Sequence, residues 1–450
     1  MAAGIVFARR PQYNGKQKQE HPAATERSCA AVKRKFEYKW IILFAAFLMV
    51  FVCLGFCSSN KGVYLSAITS ALGIRRSLFS INDTCRFVAT AVTNLFYGTL
   101  IARFGTRKLV AVGFAALIGS TLIYAYADSI FIFYIGGTLL GIGLSFTTTT
   151  TASNIIRQWF HKDLGRYTGI VFAANGIGGA LAAQLAAPLI NEPGNPFGYR
   201  NSYLMVVAIL VVTGILVVGL LREVPGSSAP VKKKARGALW VGIPYEQVRR
   251  QPYFYFTAGI ILMTGFILQS IAGVYAAHVQ DVGLGAGFAA TVASVCALSM
   301  TVTKILVGVL YDRYCLRTVT TICQCACTVS FLLMATLGAS PSGHVRAIVF
   351  AMLFALALPL ETLVIPLIVN DLFGSASYEK ILGICIAMNY TGYAIGSPLV
   401  NLGYDIIGSY SPIFMVFGLL MIPTCFVFRR VIGAAHREKE KILAAAEEET

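Results

Sequence analysis

GTLIARFGTRK, Gly98–Lys108, lies between the apolar runs Ile81–Leu100 and Leu109–Ala127 and reads as a tight turn joining two hydrophobic segments. Its form is Gly-x-Leu-x-x-Arg-x-x-x-Arg, and the same spacing returns in GVLYDRYCLRT, Gly308–Thr318. The glycines let two helices approach closely, and the arginines hold the turn at a polar surface. The copies share the glycine, the leucine and both arginines, and two of their differences matter. Ala102 stands in the first where the second has Asp312, and Cys315 stands in the second where the first has Gly105. Gly98, Arg103 and Arg107, with Gly308, Asp312 and Arg313, belong to two copies about 210 residues apart, which point to an internal repeat.

Composition agrees with a membrane setting. The 450 residues are 56% hydrophobic and 13% charged, with a mean hydropathy of +0.69. A soluble fold has no way to hide that much apolar surface. Apolar runs close to the roughly 20 residues of a bilayer-spanning helix recur along nearly the whole chain. The net charge of +17 raises the question of a nucleic-acid partner, and its placement answers it. With the spans assigned below, 30 of the 37 Lys and Arg fall on one side of the membrane. Arg75, Arg76, Arg200 and Arg346 fall on the other side, and Lys61, Arg86 and Lys304 lie within spans. This asymmetry places both termini in the cytoplasm and makes the charge a report of topology.

The eleven cysteines are scattered, mostly within spans, with no framework in the outer loops. Cys323, Cys325 and Cys327 are two apart on a helix, point to different sides and do not converge on a metal. No nucleotide-binding loop, haem motif or hydrolase triad stands out. A pump with its own ATPase and a membrane enzyme are both disfavoured, and no cofactor is expected.

Residues 1–39 are polar and basic, without the apolar run of a signal peptide, and read as a cytoplasmic tail. Span 1 begins near Trp40 and continues into the more polar SSNKGVYLSAITSALG, which suits a helix lining water. Spans 2 to 6 run about Ser80–Ile101, Leu109–Ala127, Ile130–Trp159, Tyr167–Ile190 and Tyr203–Leu221. Residues 222–250 carry Lys232, Lys233, Lys234, Arg236, Arg249 and Arg250 and read as a cytoplasmic linker between halves. Spans 7 to 12 run about 253–280, 285–310, 318–338, 345–372, 381–404 and 412–428, before a charged tail that reads as a frayed helix. The halves repeat in the same order. GVY at Gly62–Tyr64 returns at Gly273–Tyr275, and Gly169 with Asn175 returns as Gly383 with Asn389, each at nearly the offset of the turn motif.

The paired turn resembles the signature loop of the major facilitator superfamily, which sits between spans 2 and 3 and again between spans 8 and 9. Four further segments resemble its monocarboxylate-transporter and oxalate–formate-antiporter branches. They are IIRQWFHKDLGRYTG (155–169), YAAHVQDVGL (275–284), LFGSASYEKILG (372–383) and GSPLVNLGYDIIGSYSPIF (396–414). The resemblance covers nearly all of residues 40–430. It implies an all-α integral membrane protein of twelve transmembrane helices, in two six-helix halves related by pseudo-twofold symmetry, with a site near the midplane. The halves are then 40–221 and 251–430, with a cytoplasmic tail at 431–450.

Lys61 falls where these branches carry a substrate-binding lysine in span 1; a lysine snorkelling to the outer surface is the alternative. Lys304 falls where they carry a substrate-binding arginine in span 8, and a structural ion pair is its alternative. A lysine there offers a point charge in place of a two-pronged fork. The monocarboxylate branch has an acid four residues earlier, where this chain has Met300, so its proton partner is missing. Glu361, between Pro359 and Pro366, is the acid deep in a span and a candidate proton site, or else half of a structural pair. His278 is a second titratable candidate, or a rim histidine hydrogen-bonded near Asp281. Asp83 and Arg86, three apart, read as a pair at the outer rim of span 2. Thr147–Thr151 cover every face of span 4, so that Thr148 can line a cavity or bond back to its own helix. Asn175, Gln269 and Asn389 are uncharged candidates for substrate contact.

Lys61 and Lys304 are expected to converge on one cavity from opposite halves, which is what an anionic substrate calls for. The function implied is secondary active transport of a small organic anion by alternating access, by proton symport or anion exchange. The anion is a monocarboxylate or a short dicarboxylate such as oxalate or formate. A monomer in the cell membrane is expected, with the lipid bilayer and, if coupled, protons as partners. An exporter of drug-like substrates and a non-transporting receptor are the alternatives. The first calls for a carboxylate-dominated cavity, and the second for an added soluble domain or a long structured tail.

Overall fold

The structure, a computed structural model, describes residues 22–58, 64, 68–69, 71–74, 76–160, 162–190, 195, 197–222 and 242–448. Residues 1–41 and 42–450 are two compact units; the first is described as helix from Pro22, and the second is the bundle discussed below. Among the described residues every regular element is helical, and ten helices are long and apolar enough to cross a membrane. Two more complete twelve. Tyr38–Cys53 is a shorter apolar helix and forms span 1. Tyr378–Ile407 forms span 11 and is made less apolar by Glu379, Lys380, Asn389 and Asn401.

Spans 2 to 6 are Arg76–Phe104, Thr106–Tyr126, Ile130–Trp159, Leu164–Ile190 and Gly198–Leu220. Spans 7 to 9 are Pro252–Val279, Ala286–Arg313 and Leu316–Ala335. Span 10 is broken into Pro341–Ala357, Pro359–Thr362 and Val364–Phe373, and span 12 is Ser411–Glu448. Span 12 therefore runs unbroken through the segment expected to be a frayed tail. Asp371, at the end of span 10, holds it there through His436 at 2.9 Å and Lys439 at 3.6 Å. The expected linker is described only at its ends; residues 223–241 lie outside the described residues.

The packing carries the repeat. Span 2 packs on span 4 and span 8 on span 10; span 3 packs on spans 4 and 6, and span 9 on spans 10 and 12. The halves meet where span 5 crosses span 8 and where span 11 crosses span 2. Both crossings are close because glycines sit in them. A Cβ on Gly169 would strike the carbonyl oxygen of Lys304, and one on Gly383 would strike that of Asn94. Gly169 and Gly383 are repeat partners, as are Asn94 and Lys304, so the pseudo-twofold relation holds down to individual contacts.

The two motif turns reach the same end by different backbones. Gly105 takes φ 78°, a conformation glycine adopts without strain, whereas Cys315 sits at φ −75° and ψ 155° in extended backbone. The second turn has no need of the glycine it lacks.

Candidate functional site

Lys304 lies on span 8 at the span 5 crossing and is 2% exposed. A cation buried in a span costs about 2.5–3.5 kcal/mol on insertion scales, so its surroundings must answer for it. Nζ donates to the carbonyl oxygen of Phe172, in the opposite half, at 3.4 Å. The Lys304 ammonium also feels the charge of Glu361, itself 8% exposed, but among the described residues the two close no ion pair. Glu361 Oε2 is buried without a hydrogen-bond partner. Its carboxyl interacts electrostatically with Tyr393, while its backbone carbonyl accepts from Asn389 Nδ2 at 3.2 Å. A buried ammonium and a buried carboxyl, close yet not joined, form a site able to take an anion or exchange a proton.

The break in span 10 positions Glu361. Pro359 has no N–H to donate to the carbonyl of Ala355, and that oxygen instead accepts the Thr303 hydroxyl at 2.7 Å. The residue before Lys304 thus fastens span 8 to the break that carries Glu361.

Arg86 lies within span 2, where the sequence predicts a rim pair with Asp83. The expected pair with Asp83 forms, at 3.4 Å, but Arg86 is 7% exposed and does not sit at an open rim. Its Nη1 donates to Ser58 Oγ at 2.7 Å, and its guanidinium lies 4.3 Å from the Phe87 ring centroid. Phe87 packs against Tyr390 and Tyr393 of span 11, the same Tyr393 that reaches Glu361.

At the motif end of the bundle the halves are fastened together. Asp312 accepts from the backbone N–H groups of Gly165 at 2.8 Å and Arg166 at 2.6 Å, at the N-terminus of span 5, where a carboxylate is favoured. A Cβ on Gly308 would strike Gly165, and one on Gly98 would come within 2.6 Å of the Lys380 Cα. Arg157 pairs with Glu379 at 3.0 Å and lies over the Tyr378 ring. Arg103 and Arg313 are exposed and lie against Phe104 and Tyr314, whereas Arg107 Nε donates to the carbonyl of Val218 at 2.9 Å.

Residues 47–367 match the Major Facilitator Superfamily. The chain belongs to that superfamily. Its members are transporters that bind small molecules within the membrane, and this chain is a multi-pass membrane protein of that kind. Monocarboxylate transporter 13 of Rattus norvegicus is 25% identical over 394 residues, covering 85% of this chain and 86% of that protein. An uncharacterised MFS-type transporter of Bacillus subtilis (strain 168), YcxA, is 26% identical over 261 residues. That match spans 56% of this chain and 62% of the Bacillus protein, under two thirds of its length. Two solved structures share the fold. The Escherichia coli fucose:proton symporter FucP superposes with a TM-score of 0.67 at 15% identity, over 88% of this chain and 99% of that one. The proton:xylose symporter XylE gives 0.70 at 12% identity, over 88% and 96%.

Within this major-facilitator frame the other expected site residues divide. Asn389 joins Glu361, whereas Asn175 and Gln269 are half-buried on spans 5 and 7. Thr148 sits at the kink of span 4, at φ −126° and ψ −127°, and its hydroxyl bonds back to the Leu144 carbonyl at 2.6 Å. Thr150 bonds Asn94 and Tyr97 bonds Thr151, so these threonines knit span 4 to itself and to span 2. His278 is buried away from Glu361, its Nε2 3.1 Å from the Met334 carbonyl and its ring against Phe414. Lys61 lies outside the described residues.

Proposed function

We propose that this major-facilitator protein carries a small organic anion, a monocarboxylate or short dicarboxylate, by alternating access. The observation that carries the reading is Lys304, a buried cation at the crossing of the two halves with no ion-pair partner among the described residues. A substrate carboxylate supplies the missing counter-charge when bound, and Glu361 then takes up or gives up a proton, or stays ionised in anion exchange. The printed name of the rat relative, monocarboxylate transporter 13, supports the same substrate class. In this reading residues 40–221 and 251–430 rock about the site, and the Gly98 and Gly308 turns gate its cytoplasmic side. Residues 222–250 and both tails are cytoplasmic in a cell membrane, and Lys61 adds a second cation.

Uptake of radiolabelled formate, lactate and oxalate into proteoliposomes tests the reading. The parent is expected to take up at least one of them. Lys304→Gln, compared at equal reconstituted protein, is expected to lose that uptake. Parent vesicles that take up none, or a Lys304→Gln variant with unchanged uptake kinetics, would sink it.

A further inference from the structure

We infer that Arg86 is a carboxylate-binding group of the transport site, supplied by the amino half and facing Tyr390 and Tyr393 of the other. This rests on the reading above that the substrate is an organic anion. The guanidinium is buried on a span, where a cation is kept for a reason. Its donors are only partly used. Nη1 donates to Ser58, Nη2 stands 3.4 Å from Asp83, and Nε is buried with no hydrogen-bond partner. Charge-assisted N–H···O contacts close to about 2.7–2.9 Å, so the Asp83 contact is loose. Asp83 is 41% exposed along its side chain, so its carboxylate has water beside it.

The Nε–Nη2 edge of Arg86 is therefore a two-pronged face held by a replaceable carboxylate, the geometry that a planar oxyanion fits. The hydroxyls of Tyr124, Tyr390 and Tyr393 lie within electrostatic reach of the same guanidinium. Of these, Tyr393 also lies within electrostatic reach of Glu361, which in turn feels Lys304. Arg86 on span 2 is thus linked through span 11 to the acid on span 10 and the cation on span 8. An anion on Arg86 replaces Asp83, and the two tyrosines carry its arrival to Glu361.

The test is proteoliposome uptake of lactate, competed by lactate and by lactamide, its neutral counterpart, with Arg86→Gln, Arg86→Lys and Asp83→Asn. A structural role lowers transport without changing the preference of carboxylate over amide. A binding role abolishes that preference. Arg86→Gln is expected to raise the KM for lactate at least about tenfold and to lose the preference, with Arg86→Lys recovering part of both. Asp83→Asn removes the competing carboxylate and is expected to lower that KM. The assignment is overturned if Arg86→Lys and Arg86→Gln keep the parent's KM and preference. It is equally overturned if Asp83→Asn reproduces the Arg86→Gln loss, since the pair is then structural. A parent that transports no carboxylate sinks this inference together with the anion reading. A transporting parent whose Arg86 variants match it sinks this inference alone.

Discussion

At the scale of single residues, the site is asymmetric within a symmetric frame. Lys304 and Asn94 occupy repeat-related positions, 210 apart, yet one is a cation and the other a neutral amide. Asn94 is fully used, donating to the Thr90 carbonyl and accepting from Thr150, so it locks the amino half. Lys304 has only the Phe172 carbonyl as a hydrogen-bond partner among the described residues, and that difference is why the proposed reading puts the substrate at the carboxyl-half member of the pair. Both Lys304 and Glu361 are legible in the sequence as charges inside apolar runs. Arg86 is legible as a charge within span 2, but Asp83 three residues before it gives a rim pair as sufficient reason, and depth cannot be read near a span end. His278 misleads in the opposite way: its neighbour Asp281 suggests the rim, but its ring faces Met334 and Phe414. Glu361→Gln keeps the shape of the side chain and removes its charge and proton. If Glu361 is the coupling site, the variant is expected to lose accumulation driven by an imposed pH gradient while retaining carboxylate exchange at equal pH. Gradient-driven uptake equal to the parent's would transfer the coupling elsewhere.

At the scale of elements, the prolines of span 10 do more than loosen a helix. Pro359 frees the Ala355 carbonyl, and Thr303 from span 8 occupies it, converting a local defect into a bond between spans. The sequence announces the defect, since LALPLETLVIP breaks an apolar run, but not the partner, because Thr303 lies 52 residues away. Thr303→Val is expected to leave a buried carbonyl unpaired and to destabilise the protein by about 1–3 kcal/mol. Pro359→Ala in the same chain restores an N–H to that carbonyl and should recover most of the loss. Thermal unfolding of the two single variants and the double variant in detergent checks this. Strictly additive effects would show that the Thr303 bond does not depend on the missing proline N–H. The threonine run of span 4 was legible as unusual, but its hydroxyls turn to backbone and to span 2, the satisfaction a bilayer demands.

At the scale of the whole molecule, the repeat was legible because three short matches shared nearly one offset, and the packing reproduces it glycine by glycine. What the repeat could not foretell is how unequal its two motif turns are. The second turn keeps its acid, and Asp312 spans the half-to-half boundary to cap span 5, while the first turn has Ala102 and meets the other half through the close approach of Gly98 to Lys380. Closure at this end therefore leans on Asp312 and on the Arg157–Glu379 pair, whose side chains are only 15% and 27% exposed and so little screened. Asp312→Asn retains one acceptor oxygen and loses the charge that favours the helix N-terminus, so the state closed at the motif end is weakened. Phe104 and Tyr314 are exposed beside the two turns and can carry spin labels on a background free of other cysteines. Asp312→Asn is expected to shift the distance distribution between those labels toward longer separations, and adding Glu379→Gln to shift it further. A distribution unchanged by both substitutions would mean that closure is held by the glycine crossings alone and that the acid of the second turn has no part in it.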